Sequence, residues 1–256
     1  MKRPPSLEAL LRSELQGQGR PPAFIVAGHN GSGKSTFWYM RLADRLQVPL
    51  VNADRLTLSI LPEARRASAD GTLALPLWAE RLRDGDERWQ RVSQTGVRRF
   101  REVIMEQRLP FAFETVFSHW RQKADGTFES KIDDLLEMQR AGYFVVLIFV
   151  GLTQPALSAF RVQSRKAVGG HDVPLDRLMD RFPRTQAAIR HAAPVADLTL
   201  MIDNSANADK AFQFVRAQRK TTVLYDVRDA RYSSDPAALA ASSLWLDKVA
   251  GPFGQP

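Results

Sequence analysis

Short apolar runs separated by longer amphipathic stretches recur along the chain. Residues 24–27, 111–113, 143–150 and 198–202 are almost entirely apolar. Unbroken runs of that length fit strands buried on both faces of a parallel sheet. Residues 48–53 read as another strand with Asp54 just beyond its carboxyl end, and residues 221–225 as a sixth strand at an edge. Helical periodicity appears over 36–43, 132–140 and, more weakly, 235–250. Ser6 is placed to cap a short amphipathic helix over 7–12, before a linker at 17–22. Residues 60–108 read as helical, with Trp78, Leu82, Trp89, Val92, Val97, Phe100 and Ile104 as apolar anchors and Gly71, Pro76 and Gly85 as punctuation. Strands alternating with helices predict an α/β fold of three layers, α/β/α, around a mainly parallel sheet of five or six strands.

The first of these strands leads into Gly28-His29-Asn30-Gly31-Ser32-Gly33-Lys34-Ser35-Thr36. This is G-x-x-x-x-G-K-S between a strand and a helix, the context in which it forms a phosphate-binding loop. Its main-chain N–H groups line a concavity for phosphate oxygens, and the following helix N-terminus favours negative charge. Residues 28–36 are therefore the expected nucleotide-binding segment. Lys34 is the expected cation on the β- and γ-phosphates, and Ser35 the hydroxyl ligand of Mg²⁺.

Ligands in such sheets sit at the carboxyl ends of the strands. Asp54, Glu114 and Asp203 each end a predicted strand. Asp54 is a candidate base for an acceptor hydroxyl. Glu114, followed by Thr115, is placed to bind the acceptor or to reach Mg²⁺ through water. Each also suits a plain helix cap, and Asp203-Asn204-Ser205 fits a turn as well as it fits a metal-binding acid after an apolar strand. Residues 158–190 are basic, with Arg161, Arg165, Arg177, Arg181 and Arg184 around Gly169-Gly170. Helix, glycine hinge and helix form a plausible lid whose arginines supply charge to a transferring phosphoryl group. His171, after the glycines, is a candidate contact to phosphate or substrate or a local turn partner.

Composition narrows the picture. The 256 residues are 44% hydrophobic and contain no cysteine, which excludes disulfides and thiolate metal sites and fits a reducing, cytoplasmic setting. No apolar stretch follows the basic N-terminus as in a secretory signal, and the longest apolar run is too short to span a bilayer. The formal net charge of +8 suits phosphorylated partners. The charge is neither gathered in one tail nor interleaved with aromatics, which argues against nucleic acid.

The ordered set Gly28–Ser35, Asn52-Ala53-Asp54, Glu114-Thr115, Gly169-Gly170-His171-Asp172-Val173-Pro174 and Arg181-Phe182-Pro183-Arg184 resembles the zeta toxin family over about residues 22–206. The resemblance implies a P-loop kinase fold with a helical lid. It implies transfer of the γ-phosphate of ATP to the 3-hydroxyl of the amino sugar in UDP-N-acetylglucosamine, and hence a block in peptidoglycan precursor supply. It puts the base at Asp54, a substrate-binding carboxylate at Glu114 and phosphate-binding lid arginines among Arg161, Arg165 and their neighbours. A separate antitoxin protein is implied as partner. In founding members Glu-Gly-Thr often follows the third strand, where Glu114-Thr115-Val116 stands here. The expected organisation is an N-terminal helix and linker over 1–22, a kinase domain over 23–228 with its lid at about 158–190, and a C-terminal extension over 229–256. Two rival readings remain: a metabolic P-loop kinase for another nucleotide, nucleoside or antibiotic, and a nucleotide-dependent binding module without catalysis.

Overall fold

A computed structural model describes residues 2–62, 65–66, 73–126, 128–166, 173–232 and 236–253. One seven-stranded sheet organises them. In chain order its strands are β1 (Pro22–Gly28), β2 (Leu50–Val51), β3 (Phe111–Thr115), β4 (Phe144–Gly151), β5 (Leu198–Asp203), β6 (Gln213–Arg219) and β7 (Thr222–Asp226). The spatial order is β7-β6-β5-β4-β1-β3-β2. The five strands from β5 to β2 are parallel, and β6 and β7 add on antiparallel. β4 is buried at all eight positions, and β5 at all six. The direction of strand addition reverses at β1. Right-handed crossovers then cover both faces with helices and leave a crevice at the carboxyl ends of β1 and β3.

The main helices are α1 (Leu7–Leu15), α2 (Lys34–Arg41), α3 (Ala53–Ser59), α4 (Glu87–Glu106), α5 (Ile132–Arg140), α6 (Pro155–Lys166), α7 (Leu175–Ala192) and α8 (Pro236–Ala250). Ser6 caps α1 as predicted, its hydroxyl accepting from Ala9 N–H at 3.2 Å. Leu7 and Leu11 of α1, Phe37 and Trp38 of α2, Leu135 and Met138 of α5, Ile189 of α7, and Trp245 and Leu246 of α8 join one core with the strands. The N- and C-terminal helices are thus packed on the same core as the central domain.

Two expectations change. β6 adds a strand that the sequence pattern did not show, because its buried face carries Arg216 and Gln218. Arg216 pairs there with Asp226 of β7, and Arg228 pairs with the same carboxylate. The stretch 60–108 is also less uniform than its periodicity indicated. A two-residue antiparallel pair joins Arg65–Arg66 to Leu73–Ala74, a short helix covers Leu77–Glu80, and a π-helical turn at Arg81–Gly85 leads into α4. Trp78, Val92 and Phe100, expected as anchors, are exposed by 55%, 68% and 56%. α4 turns Ser93 and Arg101 inward toward a polar cleft, while Trp89 packs on Leu61, Leu75 and Ala79 and Ile104 on the main core, as expected of them.

Candidate active site

The donor side is built where β1 ends. Gly33 precedes α2 in the left-handed region (φ 86°), and a Cβ there would lie 2.8 Å from Asn204 Nδ2. At Gly28 a Cβ would come within 2.5 Å of the Val150 carbonyl oxygen. Both positions need glycine for space as well as for backbone angle. Lys34 is buried. Its Nζ donates to the carbonyls of Gly28 (3.2 Å) and His29 (3.0 Å) and lies 3.7 Å from Glu114 Oε1. The ammonium is thereby held over the loop between main-chain dipoles and one carboxylate. Asn30 Oδ1 and Ser32 Oγ, both buried at the loop, have no hydrogen-bond partner among the described residues. Thr36 is exposed in the first turn of α2.

The His29 side chain is turned into the core behind the loop. Its ring is 2% exposed, stacked on Phe182 of α7 at 3.8 Å between centroids and edge-on to Phe149 at 5.7 Å. Burial, and then the nearby Lys34 charge, push its pKa down from 6.5 to about 3. The imidazole is neutral at pH 7 and packs in the core, while the main-chain carbonyl accepts from Lys34 Nζ and Ser32 N–H.

Parallel pairing sets Glu114 of β3 opposite Val26 of β1, beside the loop. Its Oε2 accepts from Ser35 Oγ at 2.6 Å and from Asn52 Nδ2 at 2.7 Å. Asn52 also caps α3, its Oδ1 accepting from Arg55 N–H at 3.2 Å. Asp54 lies in the first turn of α3. One carboxylate therefore ties the phosphate loop to the helix carrying Asp54. Sequence reasoning had grouped Asn52 with Asp54 only by family pattern; its cap position was the readable signal. A hydroxyl beside a carboxylate fits Mg²⁺, which takes one or two protein oxygens together with phosphate and water. Among the described residues no cluster of three or more His, Cys, Asp or Glu side chains could hold a metal by itself.

A cleft of about 740 Å³ opens from this junction and is lined by Lys34, Asp54, Glu114, Thr115, Arg177 and Arg181, with Arg83 of the π-helical turn and Arg98 and Arg101 of α4. Thr115 Oγ1 accepts from Phe117 N–H at 3.2 Å. Arg101 lies over the Phe113 ring at 4.4 Å and pairs with Asp134 at 3.5 Å. Arg181 has its pKa lowered, first by burial and then by the like charges of Arg177 and Arg184, with Asp180 and Asp54 opposing. Arg184 pairs with Asp180. Of the arginines expected on the lid, Arg177 and Arg181 are the described ones that line the cleft.

Arg161 is placed otherwise. It donates to the main-chain carbonyls of Asn204 (2.7 Å) and Ala206 (3.5 Å), so its guanidinium is held by a loop rather than extended into the cleft. Ser158 of the same helix donates to the Asn30 carbonyl at 2.6 Å. α6 is a wall of the phosphate loop in this structure. The side chain of Arg165, and Gly169, Gly170 and His171 altogether, lie outside the described residues. Asp203 is engaged structurally: its carboxylate accepts from Trp245 Nε1 (2.7 Å) and Ser205 Oγ (2.8 Å). The acid beside Ser35 is Glu114, one strand over on the other side of β1.

No described helix is long and apolar enough to cross a membrane. No curated protein matches the chain. Among solved structures it is similar to one from the PezAT chromosomal toxin–antitoxin system of Streptococcus pneumoniae, at 14% identity and TM-score 0.51, covering 97% of this chain and 87% of that one. It is also similar to a chain of the AvrRxo1-ORF1:-ORF2 structure with ATP, at 16% identity and TM-score 0.56, covering 96% and 68%. At such identities these likenesses speak for the fold, a P-loop kinase-like one. The sequence profile described as zeta toxin matches residues 8–229, and the chain belongs to the zeta toxin family.

Proposed function

We propose that this chain is an ATP-dependent phosphotransferase that moves the γ-phosphate to a hydroxyl of a nucleotide sugar such as UDP-N-acetylglucosamine, acting as the toxin of a toxin–antitoxin pair. The observation that carries the reading is the junction at Glu114. There the Lys34–Ser35 loop and the Asn52–Asp54 helix start meet at one carboxylate and face one cleft. A binding module needs only the loop; a kinase needs both halves together.

In this reading the loop N–H groups and Lys34 hold the β- and γ-phosphates. Ser35 and Glu114 would hold Mg²⁺, which would draw charge from the phosphate oxygens. Asp54 orients the acceptor hydroxyl and takes its proton as the new oxygen–phosphorus bond forms. The bond to the β–γ bridging oxygen breaks, and ADP leaves with the electron pair. Arg177 and Arg181 hold the anionic acceptor in the cleft, and Arg165 is the proposed cation on the transferring group. The cationic lining along α4 suits the diphosphate of a nucleotide sugar, and Thr115 and His171 remain proposed acceptor contacts.

The test is phosphorus NMR of purified protein with ATP, Mg²⁺ and UDP-N-acetylglucosamine, with Lys34→Ala as the blank. A new phosphomonoester resonance matching the ADP formed is the expected result. ATP binding without any phosphorylated product, across nucleotide, nucleoside and sugar-nucleotide acceptors, overturns the kinase reading in favour of a binding module.

A further inference from the structure

α8 lies beyond the residues that match the family profile. Its Trp245 is wholly buried, and it reaches the nucleotide loop by two routes. The first is polar. Trp245 Nε1 donates to Asp203 Oδ1 at 2.7 Å. Ser205 closes the turn after β5 by donating its hydroxyl (2.8 Å) and its N–H (3.1 Å) to the same carboxylate, and Thr153 N–H donates to that hydroxyl at 3.0 Å. Between Asp203 and Ser205 stands Asn204. Its N–H donates to the Gly151 carbonyl (3.1 Å) and its Nδ2 to the Ser32 carbonyl (2.8 Å) inside the phosphate loop. Its own carbonyl accepts from Arg161, whose helix holds the Asn30 carbonyl through Ser158. The second route is aromatic. Trp245 packs edge-on to Phe149 at 5.4 Å, Phe149 edge-on to His29 at 5.7 Å, and His29 stacks on Phe182. The approach leaves no slack: a Cβ on Gly151 would lie 2.7 Å from the indole ring.

A phosphate loop works through main-chain N–H groups, which no side-chain rotamer can re-aim. Its geometry depends on what holds its carbonyls from behind. We propose that Trp245, Asp203 and Asn204 are positioning residues of the nucleotide site, so that α8 is a working part of ATP binding rather than an appendage. Asn204 fixes the loop at Ser32, Asp203 orders the turn that presents Asn204, and Trp245 locks Asp203. The inference rests on the reading of residues 28–36 as the ATP site.

The test uses the full chain and measures ATP affinity by calorimetry, KM and kcat for ATP, and Tm. Asn204→Ala removes the contact to Ser32, and Trp245→Phe keeps a ring against Phe149 while removing the indole donor. ATP affinity is expected to fall about 10-fold in Asn204→Ala and about 3-fold in Trp245→Phe, the scale of one buried hydrogen bond. The double variant is expected to match Asn204→Ala alone, since both act through the same loop contact. The loss should fall on KM with kcat nearly unchanged, and Leu244→Ala, on the exposed side of α8, should change neither. Lowered Tm with unchanged ATP affinity in both variants, or additive losses in the double variant, overturns the inference while leaving the ATP site standing. Failure of the wild-type chain to bind ATP, with Lys34→Ala indistinguishable from it, removes the site reading and this inference together.

Discussion

The two walls of the cleft are made differently. On the donor side, β1, β4 and β5 bring main-chain groups together, and buried polar atoms such as Lys34 Nζ, Asn204 Nδ2 and the Asp203 carboxylate have fixed partners at 2.7–3.2 Å. On the acceptor side, helices present long charged side chains. Arg181 is crowded by Arg177 and Arg184 and only partly offset by acids. The donor wall is complementary to one invariant group, a triphosphate. In the proposed reading the acceptor wall offers Arg177 and Arg181 to an anionic substrate, while Arg101 is already paired with Asp134 and Glu137. Such a division lets one family keep its chemistry while its acceptor changes, because the acceptor wall can be altered without disturbing main-chain geometry.

The strongest way to break this contrast is at Lys34. Lys34→Ala should lower transfer by about 10³-fold with every acceptor, since removal of a preorganised charge acts on the phosphoryl group itself. Steady-state rates with two different acceptors check it; an acceptor-dependent loss would show that Lys34 does not belong to the common wall. Asp54→Asn comes next. It should reduce transfer by roughly 10²-fold or more, the scale of a lost general base, with ATP affinity within a few-fold. Across a Mg²⁺ titration the loss should persist, and Asp54→Ala should relieve growth inhibition at equal protein level. Recovery of rate at high Mg²⁺ would move Asp54 from base to metal ligand.

Arg181→Ala sharpens the acceptor side. It should lower kcat/KM for the acceptor by about 10-fold, the weight of one charge-assisted contact. Tm should hold or rise, because substitution relieves repulsion with Arg177 and Arg184. A fall in Tm of several degrees at unchanged kcat/KM would reassign Arg181 to structure.

The smallest effect on activity is expected at His29. At pH 7 the ring is neutral, so His29→Phe should leave transfer within a few-fold. Stability behaves otherwise. The folded pKa of about 3 lies below the ordinary histidine value of 6.5, so the unfolded chain binds the proton first as pH falls. The contribution of the neutral ring is complete above about pH 6.5 and is lost progressively toward pH 3, at about 1.4 kcal/mol per pH unit within that window. Urea unfolding at pH 7, 6, 5 and 4 should show a shallower decline for His29→Phe than for the wild type. Parallel curves would mean that the ring is protonated in place.

The donor wall was largely legible in the sequence. Consecutive apolar residues marked β1, β4 and β5, and the glycine spacing with Lys34-Ser35 marked the loop, because both follow from local rules. Asp54 and Glu114 were found by a rule about strand ends, and Glu114 proved to bridge Ser35 and Asn52 because strand order sets β3 against β1. That order is a long-range fact that no local window contains. β6 escaped because an internal ion pair, Arg216 with Asp226, replaced the apolar alternation. Arg161 looked like a free cation because sequence spacing gives no sign of carbonyls at Asn204 and Ala206, more than forty residues on. The helix over 235–250 read only as a weak one, and nothing local to it marked Trp245, for the same reason.

The place of Trp245 in the chain has a consequence for synthesis. Translation delivers β1 and the phosphate loop early, and α8 is the last described helix to emerge. Until that helix has been made and folded back, Asp203 lacks its indole donor and Phe149 lacks its neighbour. A growing chain therefore carries an unfinished donor wall from the time β1 is made until α8 follows. Under the proposed function, this leaves an interval in which the nascent protein is present but its nucleotide site is not yet assembled for work.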